Sequence, residues 1–203
     1  ASFEASYGLS ETHTVDTIMP HDAIRWGTQG KAVPGNEIRI IDPETGATLP
    51  AGEMGEIIVR GPGNFKGYWN KPEATAQTLR NGWVHTGDIG VLDDMGYRHF
   101  LGRRKEMLKV NGMSVFPSEL EALLGQHPAL LASAVIGRPH AQRGQLPVAF
   151  VVLKPDSAED AQTLTAWCRD AMASYKVPEI RVVAALPMTA TGKVKKNELE
   201  NLL

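Results

Sequence analysis

The sequence has almost no cysteine: Cys168 is the one thiol in 203 residues. A lone cysteine excludes an internal disulfide framework and a sulfur-rich zinc site, and it fits a reducing compartment such as the cytoplasm. A surplus of either charge is also missing. Lys and Arg number 21 against 23 Asp and Glu, a formal net charge of −2. A general nucleic-acid binder needs a basic excess for its phosphate contacts, so nucleic acid is not an expected partner. Long apolar runs are absent too; stretches such as Leu146 to Leu153 are too short to span a bilayer. Residues 1–20 carry Glu4, Glu11 and Asp16 and lack a basic start with an apolar run, so no signal peptide is expected. The 6 histidines show no paired ligand spacing. What is present suffices for a core: 42% of residues are hydrophobic and 22% charged. The length suits one large domain or two small ones.

The texture changes along the chain. Residues 1–20 read as polar and irregular. From Asn36 to Leu101 strand and turn signals dominate. Glu37-Ile38-Arg39-Ile40-Ile41 alternates at the β period before the turn residues Asp42-Pro43-Glu44-Thr45-Gly46. Glu56 to Arg60 is a second strand, ended by Gly61-Pro62-Gly63. Pro72 opens a short helix to about Leu79, since its fixed φ and missing N–H suit a first turn. Ile89 to Leu92 and Tyr97 to Leu101 flank Asp93-Asp94-Met95-Gly96 as a hairpin. Beyond Gly102, helix and strand signals alternate. Ser118 and Glu121 have capping-box spacing on a helix through Leu124. Ala132 to Ile136 and Val148 to Leu153 read as buried strands. Asp156 or Ser157 caps a helix with Ala161, Leu164, Cys168, Ala171 and Met172 on its apolar face. Arg181 to Ala184 is a further strand, Pro187 to Lys193 a loop, and Asn197 to Leu203 a short helix. The boundary between two units falls near Gly102-Arg103.

Several familiar signatures fail. Gly8-Leu9-Ser10-Glu11-Thr12 misses the nucleophile elbow because Thr12 replaces its last glycine. Gly61 to Gly67 misses the dinucleotide fingerprint in its final spacing, and Thr191-Gly192-Lys193-Val194 lacks the Ser or Thr of a phosphate-binding loop. Four segments remain. In Tyr7-Gly8-Leu9-Ser10-Glu11-Thr12 an aromatic ring can lie against a purine, a hydroxyl can bond a phosphate oxygen and a carboxylate can hold magnesium. A plain glycine turn would use the same residues. In Trp83-Val84-His85-Thr86-Gly87-Asp88 one carboxylate matches two ribose hydroxyls, or the segment is a strand end with a turn. Gly102 to Gly112, continuing through Val115 to Glu121, gathers Arg103, Arg104, Lys105 and Lys109 at the boundary, as a solvated basic linker also would. No aromatic ring interleaves them before Phe116, which speaks against single-stranded nucleic acid. Pro187-Met188-Thr189-Ala190-Thr191-Gly192-Lys193 puts a lysine behind a glycine on a loop of small residues. It is an ordinary surface lysine or a mobile positive charge.

In this order and spacing the four segments closely resemble the adenylate-forming superfamily of acyl-CoA synthetases, peptide-synthetase adenylation domains and luciferases. The resemblance runs from Tyr7 to Lys193 and is to the C-terminal portion of such enzymes. The family's Ser/Thr/Gly-rich phosphate loop has no counterpart in these residues. It implies an α+β fragment of a larger enzyme. Residues 1–101 would be a mainly β, distorted-barrel subdomain of the large AMP-binding domain. Residues 104–203 would be the small, mobile C-terminal domain. The implied reaction has two steps. A carboxylate attacks the α-phosphate of ATP to give an acyl-adenylate and pyrophosphate; the thiol of coenzyme A then displaces AMP, and the small domain rotates in between.

By the same resemblance, Tyr7 stacks on adenine, Ser10 touches phosphate in place of the usual Thr, and Glu11 holds Mg2+. Asp88 grips the ribose hydroxyls and Arg103 bonds the ribose. Lys105 is the hinge. Lys109 and Gly112 lie on the loop used in the thioester step, and Lys193 is the catalytic lysine of adenylation. His85 before Thr86-Gly87-Asp88, Leu9 in the first segment and the run Lys109 to Pro117 look like a fatty-acid or related carboxylate:CoA ligase rather than a peptide-synthetase domain. Asn201-Leu202-Leu203 is not a peroxisomal address. Partners are therefore expected to be a small carboxylic acid, ATP and CoA. The 203 residues alone are expected to be inactive, and residues 1–35 to expose apolar surface, be poorly ordered or pair with a second copy as a homodimer. The alternative is a short non-catalytic module that keeps the fold for binding or assembly.

Overall fold

The computed structural model describes residues 5–13 and 15–203. The chain divides into two compact units, Ala1–Lys105 and Glu106–Leu203. The fold is α+β, with three sheets and few helices.

The first unit is mainly β. Strands β1 (Ser6–Tyr7), β2 (Thr17–Ile18) and β3 (Lys31–Ala32) form a small antiparallel sheet. Strands β4 (Glu37–Ile41) and β5 (Gly55–Arg60) pair as the alternation at Glu37 to Ile41 requires. Helix α1 (Pro72–Thr78) starts at the proline and gives way to β6 (Leu79–Arg80). An Asn81–Gly82 turn with both φ values positive leads into β7 (Trp83–Leu92), a long central strand. The residues Trp83 to Asp88 are thus strand throughout rather than a strand end. Strand β8 (Arg98–Arg103) follows the Asp93 turn, in which the Asp93 carboxylate accepts from the backbone N–H of Met95 and Tyr97. The sheet runs β4-β5-β7, with β6 and β8 both on β7. Ile40, Ile57 and Val59 form its core.

Residues 5–35 are less irregular than their composition suggests. Asp16, Thr17 and Met19 are buried, whereas Ile24 and Trp26 are exposed. The segment is tied to β8 by two backbone hydrogen bonds of 2.9 Å, from Gln29 N–H to the Arg98 carbonyl and from Arg98 N–H to the Gly30 carbonyl. Gly30 is obligatory: its φ is +77°, and a Cβ there would lie 2.0 Å from the Ile18 carbonyl oxygen.

The second unit begins with β9 (Leu108–Val110) and β10 (Met113–Val115), joined by Asn111–Gly112. Helix α2 (Pro117–Leu124) has Phe116 at its N-cap, so Ser118 lies inside the helix and the expected capping box does not form. The Glu121 carboxylate instead accepts from Val135 N–H at 2.8 Å. Strands β11 (Leu130–His140) and β12 (Gly144–Leu153) form a hairpin longer than the two predicted runs. Helix α3 (Ala161–Ala171) is capped by Asp160, not Asp156 or Ser157. The Asp160 carboxylate accepts from Gln162 and Thr163 N–H, and the Thr163 hydroxyl accepts from Asp160 N–H at 3.0 Å. Leu164 and Cys168 are buried, whereas Ala171 is exposed. Strand β13 (Glu179–Val182) starts two residues before the predicted one and pairs parallel with β12. Helix α4 (Lys196–Glu200) is shorter than predicted.

Apolar residues continue along β11 and β12 because both faces of this sheet are covered. Val135, Ala149 and Val151 share a core with Leu120, Leu124, Leu164 and Cys168. Ala134, Ile136, Val148 and Phe150 pack on the opposite side with Leu199 of α4.

Candidate active site

In the first unit the central carboxylate belongs to Asp88. On β5, Glu56 and Ile58 are two residues apart, whereas their partners Ile89 and His85 on β7 are four apart. Thr86, Gly87 and Asp88 therefore form a bulge, with Gly87 at φ +68°. Glu56 supports it by accepting from Gly87 N–H at 3.1 Å, and the Thr86 hydroxyl donates to the Ile57 carbonyl at 2.7 Å. Asp88 N–H donates to the Thr86 hydroxyl at 3.0 Å. Arg103, the β8 residue in register with Asp88, places its Nε 2.9 Å from Asp88 Oδ1. From β1, the Tyr7 hydroxyl donates to Asp88 Oδ2 at 2.5 Å. Burial, then the Asp88 charge and hydrogen bond, push the Tyr7 phenol far above its ordinary pKa, so it remains a donor across the physiological range. A carboxylate offers about four lone-pair positions. Tyr7 and Arg103 hold one carboxylate oxygen each and fix its orientation.

Ser10, Glu11 and Thr12 form a 3-10 helical turn. Ser10 is exposed. Glu11 Oε1 accepts from the Tyr68 hydroxyl at 2.6 Å, and the Glu11 carbonyl accepts from Phe65 N–H. Among the described residues no group of three or more His, Cys, Asp and Glu could cage a metal. A single oriented carboxylate still fits magnesium, which commonly takes one or two protein carboxylates and completes its shell with phosphate oxygens and water.

Behind Tyr7 lies a buried charge cluster that the sequence reasoning missed. The Arg98 guanidinium is fully buried and stacks over the Tyr7 ring, 3.5 Å from its centroid. Among the described residues its three nitrogens have no hydrogen-bond partner. Burial lowers its pKa to about 10 against the opposing influence of Tyr7, Asp88 and Asp16, so it remains a cation at neutral pH. Asp16, also fully buried, accepts from the Thr12 hydroxyl at 2.5 Å and from Asn36 Nδ2 at 3.0 Å. Glu56, Thr86 and Tyr68 were likewise missed; they support the bulge and Glu11. For Glu56 and Thr86 the available signal was a polar residue inside an otherwise apolar strand.

The basic segment leaves the first unit through a 3-10 turn, Arg104–Glu106, on which Lys105 is exposed. In the second unit Lys109 is exposed on β9, with Nζ 2.9 Å from the Ser114 hydroxyl. Asn111 and Gly112 have φ of 52° and 78°, the conformation of a tight two-residue hairpin turn. Lys193 is exposed on a closed loop. Thr189 N–H donates to the Lys193 carbonyl at 2.7 Å, Lys193 N–H donates to the Thr189 hydroxyl at 3.0 Å, and Met188 bridges to Val194. Tyr7, Ser10, Glu11, Asp88, Arg103 and Lys105 thus belong to the first unit, and Lys109, Gly112 and Lys193 to the second.

Tyr7, Asp88 and Arg103 thus bring together an aromatic ring, a buried carboxylate and a paired guanidinium. The AMP-binding enzyme family matches residues 1–69, and the AMP-binding enzyme C-terminal domain matches residues 119–193. The chain belongs to the adenylate-forming, AMP-binding enzyme superfamily. It is 40% identical over 201 residues to 2-succinylbenzoate–CoA ligase of Geobacillus kaustophilus, spanning 98% of this chain and 41% of that protein. It is 40% identical over 199 residues to a long-chain-fatty-acid–CoA ligase of Bacillus subtilis, spanning 95% and 35%. The crystal structure of ATP-bound MatB from Rhodopseudomonas palustris matches with 39% identity and a TM-score of 0.88, over 98% of this chain and 40% of that one. The chain therefore spans about two-fifths of the length of these relatives. Among the described residues no helix is long and apolar enough to cross a membrane.

Proposed function

We propose that the complete protein is an ATP-dependent, AMP-forming acyl-CoA synthetase of the cytoplasm. It would convert a carboxylic acid, most simply a fatty acid, to an acyl-adenylate and then to the CoA thioester. The observation that carries this reading is the buried Asp88 carboxylate held between the Tyr7 hydroxyl and Arg103, the residue type that bonds ribose hydroxyls in nucleotide sites. Arg98 covers one face of the Tyr7 ring, so adenine would use the other. Glu11 would hold Mg2+, which offsets phosphate charge, and Ser10 would donate to a phosphate oxygen.

Attack on the α-phosphorus spreads negative charge over the phosphoryl oxygens. A pre-placed cation there favours the transition state over the ground state. Lys193, exposed on its closed loop, is assigned that role. Lys109 and the Gly112 turn would serve the thioester step, with Lys105 as hinge. The relatives span aromatic and long-chain acids, so the acid itself is the finer part of the proposal.

ATP–pyrophosphate exchange by the complete protein across a panel of carboxylic acids tests the reading. Exchange with at least one acid, and CoA-dependent release of AMP, are expected; no exchange with any acid would refute it. Lys193→Ala should lower exchange by about 10² to 10³. It should leave thioester formation from supplied acyl-adenylate largely intact, and equal loss of both steps removes Lys193 from this role.

A further inference from the structure

Among the described residues, the short helix that follows the Lys193 loop is held at two points within its own span, and just past it Arg181 donates to the Leu202 and Leu203 carbonyls. Helix α4 has five residues and a single buried side chain, Leu199. A helix this short has little stability of its own. One apolar contact sets its depth but is non-directional, so the rotation of α4 is left to its polar contacts. The second point is Lys196. Its ammonium lies 3.0 Å from Glu106 Oε2 and 2.9 Å from Glu121 Oε1. The two carboxylates come from different places. Glu106 directly follows Lys105, and Glu121 lies on α2, where it also accepts from Val135 N–H of β11. The Lys196 side chain is 28% exposed, more shielded than an ordinary surface ion pair. Three residues upstream, the Lys193 ammonium has no hydrogen-bond or ion-pair partner among the described residues.

We propose that Lys196 is a positioning residue: by bridging Glu106 and Glu121 it fixes the rotation of α4 and so the direction in which the Lys193 loop presents its ammonium. Apolar packing sets how deep α4 sits, and the half-buried bridged charges set its rotation. The inference rests on the assignment of Lys193 to adenylation. Misplacing a reacting group by about 1 Å costs on the order of 10²-fold even when the cause lies away from the chemistry.

The test uses the complete protein and separates the two half-reactions. Lys196→Ala is expected to lower ATP–pyrophosphate exchange about 10- to 100-fold. The KM for ATP and the rate of thioester formation from supplied acyl-adenylate should stay within about threefold, well inside that effect. Lys196→Arg should restore exchange to within about threefold, since a guanidinium can also bridge two carboxylates, whereas Lys196→Met should not. Wild-type exchange in Lys196→Ala, or equal loss of both steps, overturns the proposal, because a merely structural role would impair both. If Lys196→Ala does not fold, the double variant Glu106→Gln, Glu121→Gln removes the same charges at nearly constant shape and is held to the same outcomes. A Lys193→Ala control that retains exchange would instead overturn the assignment of Lys193.

Discussion

Asp16 carries a pH dependence of its own. Burial pushes its carboxyl pKa up, against the hydrogen bond from Thr12 and the charge of Arg98. A carboxyl with a native pKa above its unfolded value of about 3.9 binds its proton more tightly when folded. Its contribution to stability is complete below about pH 4 and is lost as pH rises through the native value. Asp16→Asn cannot titrate and lacks this slope. Thermal melts from pH 4 to pH 7 should therefore show the wild type losing ground steadily to Asp16→Asn as pH rises. A constant difference would mean that Asp16 titrates normally. The same residues show why part of the site was illegible. Tyr7, Ser10, Glu11, Asp88 and Arg103 could be singled out because they stand in segments whose order and spacing resemble those of the adenylate-forming family. Arg98 could not: in Tyr97 to Leu101 it occupies a position that alternation assigns to solvent. It is buried because residues 29–30 run alongside β8 and close that side.

Among the elements, strands were the most legible. Glu37 to Ile41 and Glu56 to Arg60 alternate or end where turn residues stand, and the structure pairs them in register. Helix ends were less so. Ser118 and Glu121 have the spacing of a capping box, but Pro117 starts α2 one residue earlier and Glu121 is drawn to Val135 and Lys196. Asp160 caps α3 through a Thr at the third position, where Glu or Gln is the usual signal. The Asn111–Gly112 turn permits a clean experiment. A Cβ on Gly112 would meet nothing within 4 Å, so the only conformational cost is its φ of +78°. Gly112→Ala and Gly112→Trp should then destabilise the protein similarly, by about 1–2 kcal/mol. Only the tryptophan should block the thioester step while adenylation proceeds, if this turn lies along the thiol route. Equal activity of the two variants in that step would exclude Gly112 from it.

At the level of the whole molecule, the chain is two units joined through the turn at Arg104–Glu106. The sequence placed the change of texture at Gly102-Arg103, close to this junction, because glycine and clustered basic residues interrupt both the β pattern before it and the α/β alternation after it. If Lys105 is a hinge, its backbone φ must change during the cycle. Lys105→Pro would fix that angle. Overall acyl-CoA formation should fall well below the rate of at least one isolated half-reaction, a mismatch characteristic of a conformational step. Unchanged overall turnover would show that no such movement at Lys105 is needed. The buried thiol of Cys168 bears on how any such movement could be watched. Burial raises its pKa and keeps it unreactive. A cysteine introduced at exposed Ala190 would thus be the sole thiol of these 203 residues open to a maleimide spin label or fluorophore, allowing the tempo of the lysine-bearing loop to be followed by spectroscopy without first removing a native sulfhydryl.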